Sequence, residues 1–450
     1  MSDVNIINYT SVLARVGIAL SLLLCQSLSY GDEAKDYNFP VKNPFKATIG
    51  ISALYAKQEM PILNPALSIR ENTFVLDAQH SDDPLLDVFY QANELKFVGA
   101  WQTHEAPLIF IIAGTGASYH SYKTNLLKKI FYQQGFHVTQ ISSPTSYDFM
   151  VSASTSHTPG ISSEDAKDLY RVMQQARDLL VAEEDIKISG YAVTGYSLGG
   201  LNAAFVGALD QQKKDFNFAK ILMLNPPVNL YRSISRLDQL VMADVPADQS
   251  IDDAVHGMFN RLSQYYRAKG ALDMSSSLAG DLLGIGNELK NENIAHLISL
   301  SFRLSVADMN FVSDEFNHRG EIDTQRIQLS DSSSLTEYFK TALNCDFNCY
   351  IQQQVMPEIK KTQPYADLDT VIQEVSLYKI EEYLSRADNV MVMTNQDDLI
   401  INANDLAWLK DTLPNRLIVY PHGGHCGNYQ YADNIKDMWA FMAPMLAKQR

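Results

Sequence analysis

The sequence predicts an α/β fold: a mostly parallel sheet flanked by helices, with a mainly helical domain inserted late. Three observations predict it. Strand-like and helix-like patterns alternate from Leu108 to Asn225. A pentapeptide, Gly195-Tyr196-Ser197-Leu198-Gly199, joins a β-prone run to an apolar, helix-compatible run. Two later apolar strands end in loops carrying aspartate and histidine. Such loops lie at the carboxyl edge of an open α/β sheet, where ligands bind.

The elements follow in order. Between Lys46 and Ala100 the chain holds short β-like pieces, including Ala47–Ser52 and Asn72–Leu76. They suit antiparallel strands at the start of the sheet. Pro107–Ala113 is a continuous apolar run, as a strand buried on both faces requires. A helix over Tyr122–Gln134, a strand over His137–Ser142 and a helix over Ser163–Glu184 come next, the last with Ser162 or Ser163 able to cap it. Ile186–Thr194 leads into the pentapeptide, and Gly200–Leu209 continues as helix. Lys220–Asn225 is the following strand, and Pro226-Pro227 stops it.

No convincing core strand then appears until Asn389. Connections inside a core run to a handful of residues, so 229–385 reads as a domain of its own. Apolar residues at three-and-four spacing over Asp252–Lys269 and Ile294–Val306 make it mainly helical. The expected organisation is a signal peptide over 1–29, core over 30–228 and 386–450, and the insertion between.

The pentapeptide reads G-x-S-x-G between strand and helix, which places a serine on a tight turn. Asn389–Ile400 is an apolar strand ending in Asp397-Asp398; Arg416–Gly427 is a strand ending in a glycine-rich loop with His422 and His425. The order is Ser, Asp, His. In these three motifs the chain resembles the α/β-hydrolase superfamily, esterase- and lipase-like members included. The resemblance implies Ser197 as nucleophile and His425 as its base, with His422 the alternative. It implies Asp397 as the acid, with Asp398 the alternative. Backbone N–H groups of Leu198 and Thr115 would form the oxyanion hole, Gly116 being close behind Thr115. The family usually has His-Gly where this chain has Ala113-Gly114; a backbone donor does not need that side chain. In this family an insertion after the strand that follows the nucleophile helix commonly forms a cap over the active site.

The residue types fit acyl transfer. A serine hydroxyl is a poor nucleophile at neutral pH, so a base must take its proton. A histidine near its ordinary pKa can do so, and a carboxylate holds the imidazole tautomer. The expected activity is hydrolysis of a small-molecule or lipid carboxylic ester through an acyl-enzyme, with no metal and no cofactor. The alternatives are an acyltransferase, thioesterase or peptidase with the same triad, or a non-catalytic binding or scaffold protein on the same fold. No zinc-type motif and no phosphate-binding loop occurs.

With a net charge of −16 in 450 residues, nucleic acid is not an expected partner, because no basic stripe exists to neutralise phosphate. Oligomeric state is left open. Arg15 precedes the uncharged stretch Val16–Cys25, which is too short to span a bilayer but suits a signal peptide. Ser27-Leu28-Ser29 is a small-x-small cleavage site. Export to the periplasm or beyond is therefore expected, with membrane association possible but not indicated once the signal is removed. In an oxidising compartment Cys345 and Cys349 can pair, in a loop or distorted turn rather than a regular helix.

Overall fold

The computed structural model describes residues 37–49, 62–77, 86–92, 94–242, 291–325 and 327–446. The expected signal peptide and the expected helix over Asp252–Lys269 lie outside the described residues.

Eight strands form one sheet: β1 (Glu71–Leu76), β2 (Leu95–Ala100), β3 (Ala106–Ile112), β4 (His137–Ile141), β5 (Ile188–Tyr196), β6 (Lys220–Leu224), β7 (Val390–Asn395) and β8 (Leu417–Tyr420). Their spatial order is β1-β2-β4-β3-β5-β6-β7-β8. The β1/β2 and β2/β4 pairs are antiparallel, and every pair from β4 to β8 is parallel.

Side chains alternate along β3 between two cores. Leu108, Phe110 and Ile112 enter one apolar cluster, and Ile109 and Ile111 the other. Each face is therefore covered, which explains why the strand reads as an unbroken apolar run. Helices Ser162–Glu184 and Leu198–Lys213 contribute to the first cluster, and helices Tyr122–Gln134 and Ala432–Met442 to the second.

Helix Tyr122–Gln134 starts where Thr124 N–H donates to Ser121 and stops at Gly135, whose φ of 112° is a left-handed cap. The expected serine cap at helix Ser162–Glu184 is not found. Its cap residue is Ile161, and Ser162 already lies in the first turn. That helix has Glu164 and Asp165 in its first turn, which suit the positive end of the helix dipole. The expected β-like piece at Ala47–Ser52 is also corrected in its described part. Pro44–Thr48 is a short helix, begun by Asn43 accepting from Lys46 N–H and by proline at its first position.

The chain between β6 and β7 is helical or irregular wherever described. Among the described residues, its longest helix is Asn291–Asn317. The two ends of this segment meet, because Asn229 and Ser376 form an isolated antiparallel bridge and Leu377 N–H donates to Val228 O at 2.9 Å. Cys345 and Cys349 are disulfide-bonded. The bridge sits where helix Thr336–Asn344 ends and helix Phe347–Tyr350 begins, so the backbone bends between the two sulfurs. Among the described residues, no helix is long and apolar enough to cross a membrane.

Candidate active site

Strand register brings four loops to one edge. Ile112 pairs with Gly195, Tyr196 with Leu224, Leu224 with Met393, and Asn395 with Tyr420. The residues following β3, β5, β7 and β8 therefore emerge side by side.

Ser197 occupies the turn after β5 with φ 56° and ψ −127°, a conformation that costs a non-glycine residue energy. The turn holds because its neighbours are small. A Cβ on Gly195 would lie 2.1 Å from Gly199 O, and one on Gly199 would lie 2.2 Å from Ile112 O. Ser197 N–H donates to Leu224 O at 2.8 Å, which pins the turn to β6. Helix Leu198–Lys213 starts on the next residue.

Ser197 Oγ lies 2.8 Å from His425 Nε2. On the other side of the ring, His425 Nδ1 lies 3.0 Å from Asp398 Oδ1 and 3.1 Å from Oδ2. The three residues are buried, at 6%, 5% and 4% exposure, so little water competes for these bonds. Two further donors hold the carboxylate. Asn225 Nδ2 donates to Asp398 Oδ2 at 2.7 Å, and Ile400 N–H to Oδ1 at 3.0 Å.

The expectation of Asp397 is corrected here. Its Oδ1 accepts from Gly424 N–H at 2.9 Å, and its buried Oδ2 has no hydrogen-bond partner. Asp397 thus braces the histidine loop, and Asp398 faces the ring. Burial pushes the Asp397 carboxyl up from its ordinary value, and the neighbouring Asp398 adds to the effect.

His425, not His422, faces the serine. His422 Nε2 instead accepts from Lys42 Nζ at 2.7 Å. Burial, with Lys42 beside it, holds His422 below the ordinary histidine value. At His425 burial opposes the imidazolium, but the Asp398 carboxylate and the adjacent Cys426 together more than offset it. The imidazole is held above its ordinary range.

In the loop after β3, Gly116 N–H donates to Thr145 Oγ1 at 2.9 Å, and Ala117 N–H to Gly114 O at 3.0 Å. Among the described residues, no such acceptor engages the N–H of Thr115. Leu198 N–H opens its helix and so lacks an intrahelical partner. Gly116 has φ 66°, and a Cβ there would lie 2.2 Å from Ser305 Oγ. Helix Asn291–Asn317 therefore packs directly on this loop.

The strand order, the strained serine turn and the positions of the three loops decide the architecture. The fold is that of the α/β-hydrolases. The serine turn follows β5, the aspartate loop β7 and the histidine loop β8.

No family model matches the chain, and no curated protein matches it. Among solved structures it is similar to a putative hydrolase from Legionella pneumophila (TM-score 0.44, 9% identity, covering 88% of this chain and 94% of that one). It is similar to a peroxisomal α/β-hydrolase from Saccharomyces cerevisiae (TM-score 0.41, 13% identity, covering 84% and 90%). It is also similar to an esterase from Pyrococcus furiosus (TM-score 0.39, 8% identity, covering 83% and 91%).

Sequence reasoning missed Asn225 and Thr48. Asn225 directly follows β6 with φ 46°, at the same edge as the motifs. An asparagine just beyond a strand in this sheet was the available signal. Thr48 carried none. Among the described residues, no group of three or more His, Cys, Asp or Glu side chains could hold a metal ion.

Proposed function

We propose that this chain is an exported serine hydrolase of carboxylic esters, of carboxylesterase, lipase or lysophospholipase type. The observation that carries the reading is Ser197 Oγ 2.8 Å from His425 Nε2, with Asp398 on the opposite ring nitrogen. A nucleophile, a base and a base-orienting acid within hydrogen-bond reach are what acyl transfer needs.

In this reading Asp398 keeps the proton on Nδ1, so Nε2 is free to accept. His425 takes the Ser197 proton as Oγ attacks the ester carbonyl carbon. The carbonyl oxygen becomes an oxyanion, held by the N–H groups of Leu198 and Thr115. His425 then gives its proton to the departing alkoxide, leaving an acyl-serine. Water enters, gives a proton to His425 and attacks the acyl carbon. Collapse returns the proton to Ser197 and releases the acid.

The helical segment 229–385 serves as a cap that shapes the substrate space. The contact of Ser305 with Gly116 supports this role, because it places the segment against the oxyanion loop. The bridged Cys345–Cys349 pair and the uncharged stretch Val16–Cys25 support export.

The test is labelling with a fluorophosphonate probe, followed by peptide mapping. Stoichiometric modification of Ser197, lost in His425→Ala, is expected, together with turnover across a panel of ester chain lengths. A folded protein that takes no label would overturn the reading.

A further inference from the structure

The short helix Pro44–Thr48 touches the histidine loop backbone to backbone. A Cβ on Gly424 would lie 2.2 Å from Pro44 O, and one on Gly427 would lie 2.3 Å from Ala47 O. Only residues without a side chain fit at that distance. The one side-chain hydroxyl of this helix closes the contact. Thr48 Oγ1 accepts from His425 N–H at 2.8 Å. The same oxygen donates to Pro44 O at 2.7 Å. The donated bond fixes the hydroxyl's rotor, so its lone pairs are presented to the His425 amide.

The helix is held from its other side as well. Phe45 and Ile49 pack with Ile400 and Ile401, just beyond Asp398, and with Leu237, Ile294 and Ile298 of the helical segment. One short helix thus rests on the base loop, the acid loop and the segment above them. The backbone of His425 is positioned by a residue 377 places earlier in the chain.

We propose that Thr48 is a positioning residue for the base: its hydroxyl fixes the His425 backbone so that Nε2 stays opposite Ser197 Oγ. This rests on the serine-hydrolase reading above. A buried N–H that loses its acceptor finds another by moving, or remains unsatisfied at a cost. Either way the imidazole loses alignment with the nucleophile, and a small misplacement slows the chemical step far more than it weakens binding.

The test compares the full-length protein with Thr48→Val and Thr48→Ser. Valine keeps the branched shape and removes the acceptor; serine restores it. Ser197 labelling rates, ester kcat and KM, and thermal unfolding are measured for each. Thr48→Val is expected to slow labelling and lower kcat by about tenfold or more, with KM within about threefold. Thr48→Ser is expected to recover most of the rate. Should the valine variant not fold, Thr48→Ala takes its place with the same expectation.

Wild-type labelling with a valine or alanine variant that reacts at the same rate removes the role of Thr48 and leaves the hydrolase reading standing. So does a serine variant as slow as the valine one, because the hydroxyl would then not be the operative group. A folded wild-type protein that takes no label removes the hydrolase reading itself, and this inference with it.

Discussion

Asp398 Oδ1 lies 3.0 Å from His425 Nδ1, whereas Asp397, one residue earlier, directs its Oδ1 to Gly424 N–H at 2.9 Å. Adjacent aspartates serve one loop in two ways: the first braces its backbone and the second faces its ring.

Replacing each carboxylate separates the two roles. Asp398→Asn should lower ester kcat by about 10³–10⁴-fold, because an amide no longer stabilises the imidazolium or its tautomer. Asp397→Asn keeps an oxygen for Gly424 N–H and should stay within about tenfold of wild type. Steady-state kinetics on both variants decide it, and an equal loss in the two would contradict this division.

The pH dependence follows from the direction of the His425 shift. Below its pKa, Nε2 carries a proton and cannot act as base, so kcat/KM should rise with pH. Since the Asp398 carboxylate, with Cys426 beside it, holds the imidazole above 6.5 despite burial, the midpoint of that rise should lie above 6.5. In Asp398→Asn the charge is gone and burial remains, so the residual activity should titrate at lower pH. A wild-type midpoint at or below 6.5 would be incompatible with this balance.

Asp308, on helix Asn291–Asn317, makes stability depend on pH. Burial pushes its carboxyl from 3.8 up to about 7, and no hydrogen bond or ion pair offsets the lost water among the described residues. The folded state therefore binds a proton that the unfolded chain releases between those values. Stability is greatest below the unfolded pKa and falls as pH rises through the folded one. The full shift corresponds to at most about 4 kcal/mol, and the side chain's remaining contact with solvent makes it less. Asp308→Asn should leave urea unfolding unchanged at pH 4 and stabilise the protein at pH 8. A variant no more stable than wild type at pH 8 would remove the penalty.

The Cys345–Cys349 bridge closes a loop of five residues. Loop-closure entropy for so short a loop gives about 2 kcal/mol of stabilisation. Replacing both cysteines with serine should lower the unfolding midpoint by a corresponding amount. The bridge also steadies Cys345, whose carbonyl accepts from Asn310 Nδ2 of helix Asn291–Asn317 at 3.2 Å. An unchanged midpoint would mean that the flanking helices hold this bend without the bridge.

The sequence by itself determined the alternation of strands and helices, the Ser–Asp–His order and the positions of Ser197 and His425. Those features are local. Periodicity marks strands and helices, and glycines mark tight turns, within a few residues of where they act. Only the tertiary structure decided between Asp397 and Asp398. The two share one turn, and the choice depends on where a loop from a different strand, Gly423–His425, comes to rest. Asn225 and Thr48 were hidden for the same reason. Each meets its partner through space, Asn225 across 173 residues and Thr48 across 377, and neither belongs to a local pattern. The helix at Pro44–Thr48 also defeated local reading. Its β-prone Ala47-Thr48-Ile49 is overruled by Asn43 and Pro44, which start a helix, and by packing of Phe45 and Ile49 with Ile400 and Ile401 after β7. Local patterns set which elements form; long-range packing set which polar atoms face one another.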